Sequence, residues 1–173
     1  AISKVIKTSN GIVYVMNKLD VLPKDKFKSI IIQAERYTST SHDRRGNTYF
    51  RDRFSPVTGQ NFQDVLVTGH GVALFNIRYA LTELPSLKYK ASWIAVNDFQ
   101  TATFSQKLGI GTATSTTFGY TLVALQNYNE VYIGEFTMAK YAPVYPIYLT
   151  AANSTTRAAN PIVADYIKLV PSL

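Results

Sequence analysis

In "LKYKASWIAVND" (residues 87–98) apolar and polar residues alternate almost one for one, and this two-residue period is what most limits the fold. A strand points successive side chains to opposite faces, so Tyr89, Ala91, Trp93 and Ala95 share one face and Lys88, Lys90 and Ser92 take the other. The same period, or an enrichment in β-branched and aromatic residues, recurs in residues 29–37, 62–68, 72–79, 103–108, 118–124, 130–136, 147–151 and 162–170. These segments and 87–96 are the predicted strands. Turn residues separate them, among them Pro56 and Gly59, Gly69 to Gly71, Asn97-Asp98, Gly109 to Gly111 and Asn160-Pro161. Many short strands with little helical periodicity predict an all-β fold, an antiparallel β-sandwich, and a jelly roll in particular. Trp93 sits among apolar neighbours and is predicted to be core.

The organisation reads as three parts. Residues 1–23 form a terminal hairpin around Ser9-Asn10-Gly11, residues 24–28 ("KDKFK") a linker after Pro23, and residues 29–173 the main domain. The chain starts at Ala1 and shows no signal-peptide pattern, which reads as a mature protein or a cut fragment. No apolar run reaches the roughly 18 residues that a spanning helix needs. There is no Cys, so disulfides and thiolate metal sites are excluded.

The formal net charge is +7, and the cations cluster in residues 24–28 and in "DRRGNTYFRDR" (43–53). Phosphate binding through Arg44, Arg45, Arg51 and Arg53 is one reading of the second cluster. The acids interleaved in both clusters argue against nucleic acid as a partner and for a solvated linker and a solvated loop.

Two acids break otherwise apolar patterns. In "SIIIQAERYTST" (29–40), Ile30, Ile32 and Ala34 share a strand face, while Ile31, Gln33, Glu35 and Tyr37 share the other. If Glu35 is covered it needs a cation or hydrogen-bond donors, because an unpaired buried carboxylate is costly. In "ANPIVADYIKLVPSL" (159–173), Asp165 interrupts the face of Val163, Ile167 and Leu169 in the same way. In a jelly roll the first and last long strands are commonly neighbours. Gln33, Glu35 and Asp165 would then converge as hard oxygen ligands, which suit Ca²⁺ better than a transition metal. Pairing of Glu35 with Arg36 or Lys168 is the alternative.

Catalytic patterns are weak. His42 and His70 lie far apart in sequence, no G-x-S-x-G occurs, and "GIGTATS" (109–115) has no following Lys. Asp98, Glu130 and Glu135 are the acids available for glycoside hydrolysis, and nothing in their local sequence would raise a pKa. The chain reads as a binding module, not an enzyme.

Two stretches are familiar as a pair. "IIIQAERYTSTS" and "IVADYIKLVP" resemble the two ends of carbohydrate-binding modules of families 6 and 35, and "LKYKASWIAVND" is similar to their central strand. The resemblance implies a galactose-binding-like jelly roll over residues 29–171, with glycan or polysaccharide as partner. It also implies a structural calcium between the end strands, carried over to Gln33, Glu35 and Asp165. Gln33 departs from the family's acidic pattern and brings no charge. For the sugar, the resemblance points to loops at one end of the sandwich. Its aromatics would be Tyr49 or Phe50 in the first long loop and Tyr128 before the strand at Glu130, with Asn153 and Asn160 supplying amides. Separately, "TSNGIVYVMNKLDVLP" resembles the closing segment of a fasciclin-like domain. Together these imply an extracellular or bacterial cell-surface protein, with other surface proteins as further partners. The alternative is a structural or adhesion module that keeps the fold without a sugar ligand.

Overall fold

The structure, a computed structural model, describes residues 2–17, 28–82, 84, 88–138, 142–152 and 161–172. Numbered in chain order, β11 (Val131–Thr137), β8 (Lys88–Ile94), β14 (Tyr166–Pro171) and β3 (Ile30–Gln33) form a four-stranded sheet in that spatial order. A five-stranded sheet runs β10 (Thr121–Val123), β9 (Phe104–Ile110), β12 (Val144–Ala151), β7 (Asn76–Thr82) and β4 (Ser39–Thr40). A third sheet holds β13 (Ile162–Ala164), β6 (Gln60–Val67) and β5 (Thr48–Ser55). Every pairing between these strands is antiparallel. This is the predicted antiparallel sandwich of jelly-roll type, and one short 3₁₀ turn, Arg45–Asn47, interrupts it.

The inward faces meet in one core. Ile32, Ile77, Tyr79, Tyr89, Trp93, Leu108, Ile147, Leu149, Ile167 and Leu169 all belong to it, so the four- and five-stranded sheets pack against each other. The predicted alternation holds only at the start of β8: Tyr89, Ala91 and Trp93 are fully buried and Lys90 is exposed, but Ser92, predicted on the outer face, is buried, as are Ala95, Val96 and Asn97. Trp93 is therefore core, as its neighbours predict.

The predicted strand 162–170 is two strands in two sheets. Ile162, Val163 and Ala164 pair with Val67, Leu66 and Val65 of β6. The chain then bends at Asp165 and continues as β14 between β3 and β8. The bend explains why Ile162, Val163 and Ala164 are all buried despite their alternation, since β13 lies between layers and has no solvated face. Its outer edge is closed by a side chain. The Gln106 amide donates to the Val163 carbonyl at 2.9 Å and accepts from the Val163 N–H at 3.0 Å, replacing a ladder partner. Gln106 is itself fully buried.

Residues 38–61, read from sequence as a long loop, contain β4 and β5. Thr48–Ser55 forms an eight-residue strand paired with β6 along its whole length. The hairpin closes at Gly59, whose φ of 68° and N–H to the Ser55 carbonyl (2.8 Å) make the tight return. Thus Tyr49 and Phe50 stand on a strand and not in a loop.

The N-terminal hairpin is β1 (Ile2–Thr8) and β2 (Gly11–Met16), joined at Ser9-Asn10 as the turn signal predicts. It forms its own two-stranded sheet, and every residue in it is exposed, including Ile2, Ile12, Tyr14 and Met16. The proposed linker 24–28 lies outside the described residues except for Lys28.

Replacing Gln106 by Leu would leave the buried Val163 N–H and carbonyl unpaired. Each such group costs about 1–3 kcal/mol, so the variant should lose roughly 2–6 kcal/mol of unfolding free energy in urea. A variant of wild-type stability would show that another group takes over the pairing.

Candidate functional site

The bend at Asp165 gathers three separate parts of the chain. Its carbonyl accepts from the Ala34 N–H at 2.8 Å, and its own N–H donates to the Ile94 carbonyl at 2.9 Å. Opposite, Ala34 to Arg36 turn away from β3, closed by the Arg36 N–H to the Gln33 carbonyl at 3.1 Å. Glu35 therefore sits on a turn and not on the strand face that alternation assigned it. The Tyr79 hydroxyl, buried in the core, fixes this turn by donating to the Ala34 carbonyl at 3.1 Å.

Beyond Asp165 the two sheets part. β13 ends at Ala164 opposite Val65, so residues 60–64 of β6 have no described strand on that edge. The gap is a cleft of about 540 Å³. Gln33, Glu35, Asp165, Tyr166, Phe62 and Tyr128 are among its walls. Gln33, Glu35 and Asp165 thus border one cleft, and Tyr128 borders it too. Tyr49 and Phe50 lie elsewhere on β5, half-exposed, with Phe50 stacked on Tyr37 at 6.3 Å between ring centres. Asn153 and Asn160 lie outside the described residues.

The floor of the cleft is acidic and under-neutralised. One oxygen of Glu35, Oε1, lies 3.7 Å from Arg36 Nε, but that Arg36 side chain is 81% exposed and its pull is screened. The other oxygen, Oε2, is buried without a hydrogen-bond partner. Asp165 is only 8% exposed. Burial, with the charges of Asp64 and Glu35 close by, pushes its carboxyl up from 3.8 to about 6. Lys168, the other sequence-based partner for Glu35, is taken by Glu130 at 3.0 Å. Carboxylate and amide oxygens are hard ligands of the kind that a divalent ion such as calcium takes. Among the described residues no three His, Asp or Glu side chains close into a metal-binding group, so the fit depends on Gln33 as the third side chain.

Beside this floor runs an ion-pair network that sequence reading missed. Arg51 donates Nε to Asp64 Oδ1 at 2.8 Å and Nη2 to Oδ2 at 2.5 Å, and reaches Asp98 through Nη1 at 3.0 Å. Its guanidinium also lies 5.2 Å from the centre of the Phe99 ring. Arg53 pairs with the second oxygen of Asp98, which also accepts from the Tyr128 hydroxyl at 3.4 Å. Asp64 is fully buried. Arg51 and Arg53 are therefore committed inward, which corrects the reading of 43–53 as a solvated loop and removes both from phosphate binding. The signal available was Arg51 and Arg53 two residues apart, placing two cations on one strand face.

The other acids are also held by cations. Burial alone would raise Glu130, but hydrogen bonds from Lys168, Ser92 and Tyr166 hold it below the ordinary carboxylate value. Glu135 is lowered by its hydrogen bond to Lys88 and by the charges of Lys88 and Lys90. A glycosidase acid needs a raised pKa, and these two are shifted the opposite way.

No family model matches the sequence, and no curated protein matches it. Solved structures do match in chain path. The CBM36-1 domain of a multidomain xylanase from the hindgut metagenome of Trinervitermes trinervoides superposes with a TM-score of 0.55 at 16% identity, over 84% of this chain and 99% of that one. A family 35 carbohydrate-binding module from Clostridium thermocellum gives 0.52 at 14% identity, over 84% and 99%. The GH26-CBM35 β-(1,4)-mannanase of Podospora anserina gives 0.54 at 15% identity, over 84% of this chain and 28% of the enzyme. At such identities the likeness establishes a shared fold, the jelly roll of carbohydrate-binding modules. Nothing in these comparisons supports the fasciclin-like reading of residues 1–23.

Arg51→Ala would strand the buried carboxylate of Asp64, a loss of about 3–5 kcal/mol for breaking one side of a buried pair. Chemical denaturation should show that drop, and a loss below about 1 kcal/mol would mean that solvent already reaches Asp64.

Proposed function

We propose that this protein is a non-catalytic glycan-binding module that holds its sugar in the cleft beside Asp165. The observation that carries the reading is the composition of the walls on this fold. Phe62, Tyr128 and Tyr166 offer ring faces for the C–H surfaces of a pyranose, and Gln33, Gln60 and Asn61 offer amides for its hydroxyl rim. The edge of β6 at residues 60–64, which no described strand covers, adds backbone donors and acceptors along one side. Similar folds belong to modules of a xylanase and a mannanase, which supports a β-linked polysaccharide as the ligand class. Such a role suits an extracellular or bacterial cell-surface protein.

Calcium is part of the same proposal. Gln33, Glu35 and Asp165 would hold it, and its charge would offset the burial and the neighbouring carboxylates that raise Asp165. The ion would act by fixing the turn at Glu35 to the bend at Asp165, and so by setting one wall of the cleft.

A second reading has its own observation. The hairpin of β1 and β2 exposes Ile2, Val5, Ile12, Val13, Tyr14 and Met16, more apolar surface than two strands need to remain solvated. This favours an adhesion or interaction role, alongside glycan binding or in place of it.

Isothermal titration with soluble β-linked gluco-, xylo- and manno-oligosaccharides should detect binding to at least one series. Tyr128→Ala should weaken it about tenfold through loss of one stacking face. Absence of binding to every series, with the fold intact, would leave the interaction reading in its place.

Calcium in excess should raise the melting temperature of the wild type by mass action on the native state, and Asp165→Ala should abolish that increment. Equal melting temperatures in calcium and in chelator would remove the ion from the proposal.

A further inference from the structure

The start of β6 has a depression on each side. Besides the cleft, a groove of about 590 Å³ is lined by Asp52, Arg53, Phe54, Asn61, Phe62 and Gln63. Asn61, Phe62 and Gln63 border both. The pairing register explains how one short segment serves two sites. Phe62 lies opposite Arg53, and Asn61 lies opposite Phe54, so Phe62 and Phe54 project from opposite faces of the hairpin. Between the two faces runs the edge of β6 at residues 60–64, for which the described residues supply no strand.

The groove is equipped like the cleft. Phe54 is 58% exposed, which leaves its ring free as a platform. Gln63 Nε2 donates to Asp52 Oδ1 at 3.0 Å, holding an amide and a carboxylate along the wall. A ring face, an amide and a carboxylate are what a pyranose with its hydroxyl rim uses.

We propose that the cleft and the groove are two parts of one extended site. The same glycan chain passes over the open edge of β6, one sugar against Phe62 and a later one against Phe54. The ligand is then the interior of a linear polysaccharide, and the hairpin tip is the ridge that the chain straddles. This rests on the glycan reading of the cleft and extends it to a ligand length and a binding mode. The occupant of the groove is the continuation of the cleft's own ligand, because the two depressions share Asn61, Phe62 and Gln63 and nothing described lies between them but a strand edge.

The test is the chain-length dependence of binding. Soluble β-linked gluco-, xylo- and manno-oligosaccharides from disaccharide to hexasaccharide are titrated into the wild type, Phe54→Ala and Phe54→Trp. In the series that binds, the wild type should hold the hexasaccharide about tenfold more tightly than the disaccharide. Phe54→Ala should leave disaccharide affinity unchanged and erase the gain, and Phe54→Trp should keep it. Phe54 is exposed, so melting temperatures should match, and the tryptophan variant controls for any change in the hairpin. Equal wild-type affinity at all lengths, or a full gain in Phe54→Ala, overturns the extended site while the cleft reading stands. Absence of binding at every length in every series overturns both.

Discussion

The backbone of Asp165 is the point on which the rest of the architecture turns. Its N–H and carbonyl bond to Ile94 and to Ala34, so one residue joins β8, the end of β3 and the crossing from the three-stranded to the four-stranded sheet. Without that crossing β13 and β14 would be one strand, and no gap would open between β6 and the β3 turn. The bend has an electrostatic consequence. It buries Asp165 near Asp64 and Glu35, acids that are far apart in sequence.

How these acids are satisfied divides the region into a rigid half and an incomplete half. Asp64 and Asp98 share Arg51 and Arg53, two charges against two, with bidentate geometry and near-complete burial. The network ties β5 and β6 to the segment after β8, and through Asp98 it holds the Tyr128 hydroxyl at the cleft wall. Glu35 meets the exposed Arg36 at 3.7 Å, and Asp165 is raised by burial with Asp64 and Glu35 close by. The rigid half therefore positions the aromatic wall, and the incomplete half leaves one Glu35 oxygen buried without a hydrogen-bond partner. A fold that satisfies Gln106 and Val163 so completely elsewhere makes this exception informative.

Much of the fold was legible because alternation is a local property. The start of β8 and the Asn10-Gly11 hairpin needed no knowledge of partners. β5 was illegible for the opposite reason. Its inward face carries Arg51 and Arg53, and inward charges read as solvated until Asp64 and Asp98, distant in sequence, are seen to receive them. Gln106 hid in the same way, a polar residue on an inward face whose partner is the backbone of Val163. Around the cleft, Gln33, Glu35 and Asp165 stood out in the sequence, but their local geometry did not. Period-two reasoning put Glu35 and Asp165 on long strands, whereas one stands on a turn and the other on a bend. Each acid marks the place where its strand stops. An acid in an apolar run is poorly tolerated on a buried strand face, so an interruption of pattern signals a break in structure at least as well as a ligand.

The same distribution of charge bears on which polymers suit the cleft. The chain carries a net +7, which by itself favours polyanions. Near the cleft, however, Lys168 is engaged with Glu130 and Arg51 and Arg53 with their aspartates, and Arg36 on the cleft wall is 3.7 Å from Glu35. What faces the ligand is a floor of two carboxylates under aromatic and amide walls. With no cation on these carboxylates, a phosphate or sulfate group placed there would meet repulsion at short range. A neutral polyhydroxylated chain meets no such barrier, and its hydroxyls can donate to Glu35 and Asp165 while its C–H faces lie on the rings. The overall charge and the local charge thus point to different ligands, and the local one governs because it acts at contact distance without salt screening.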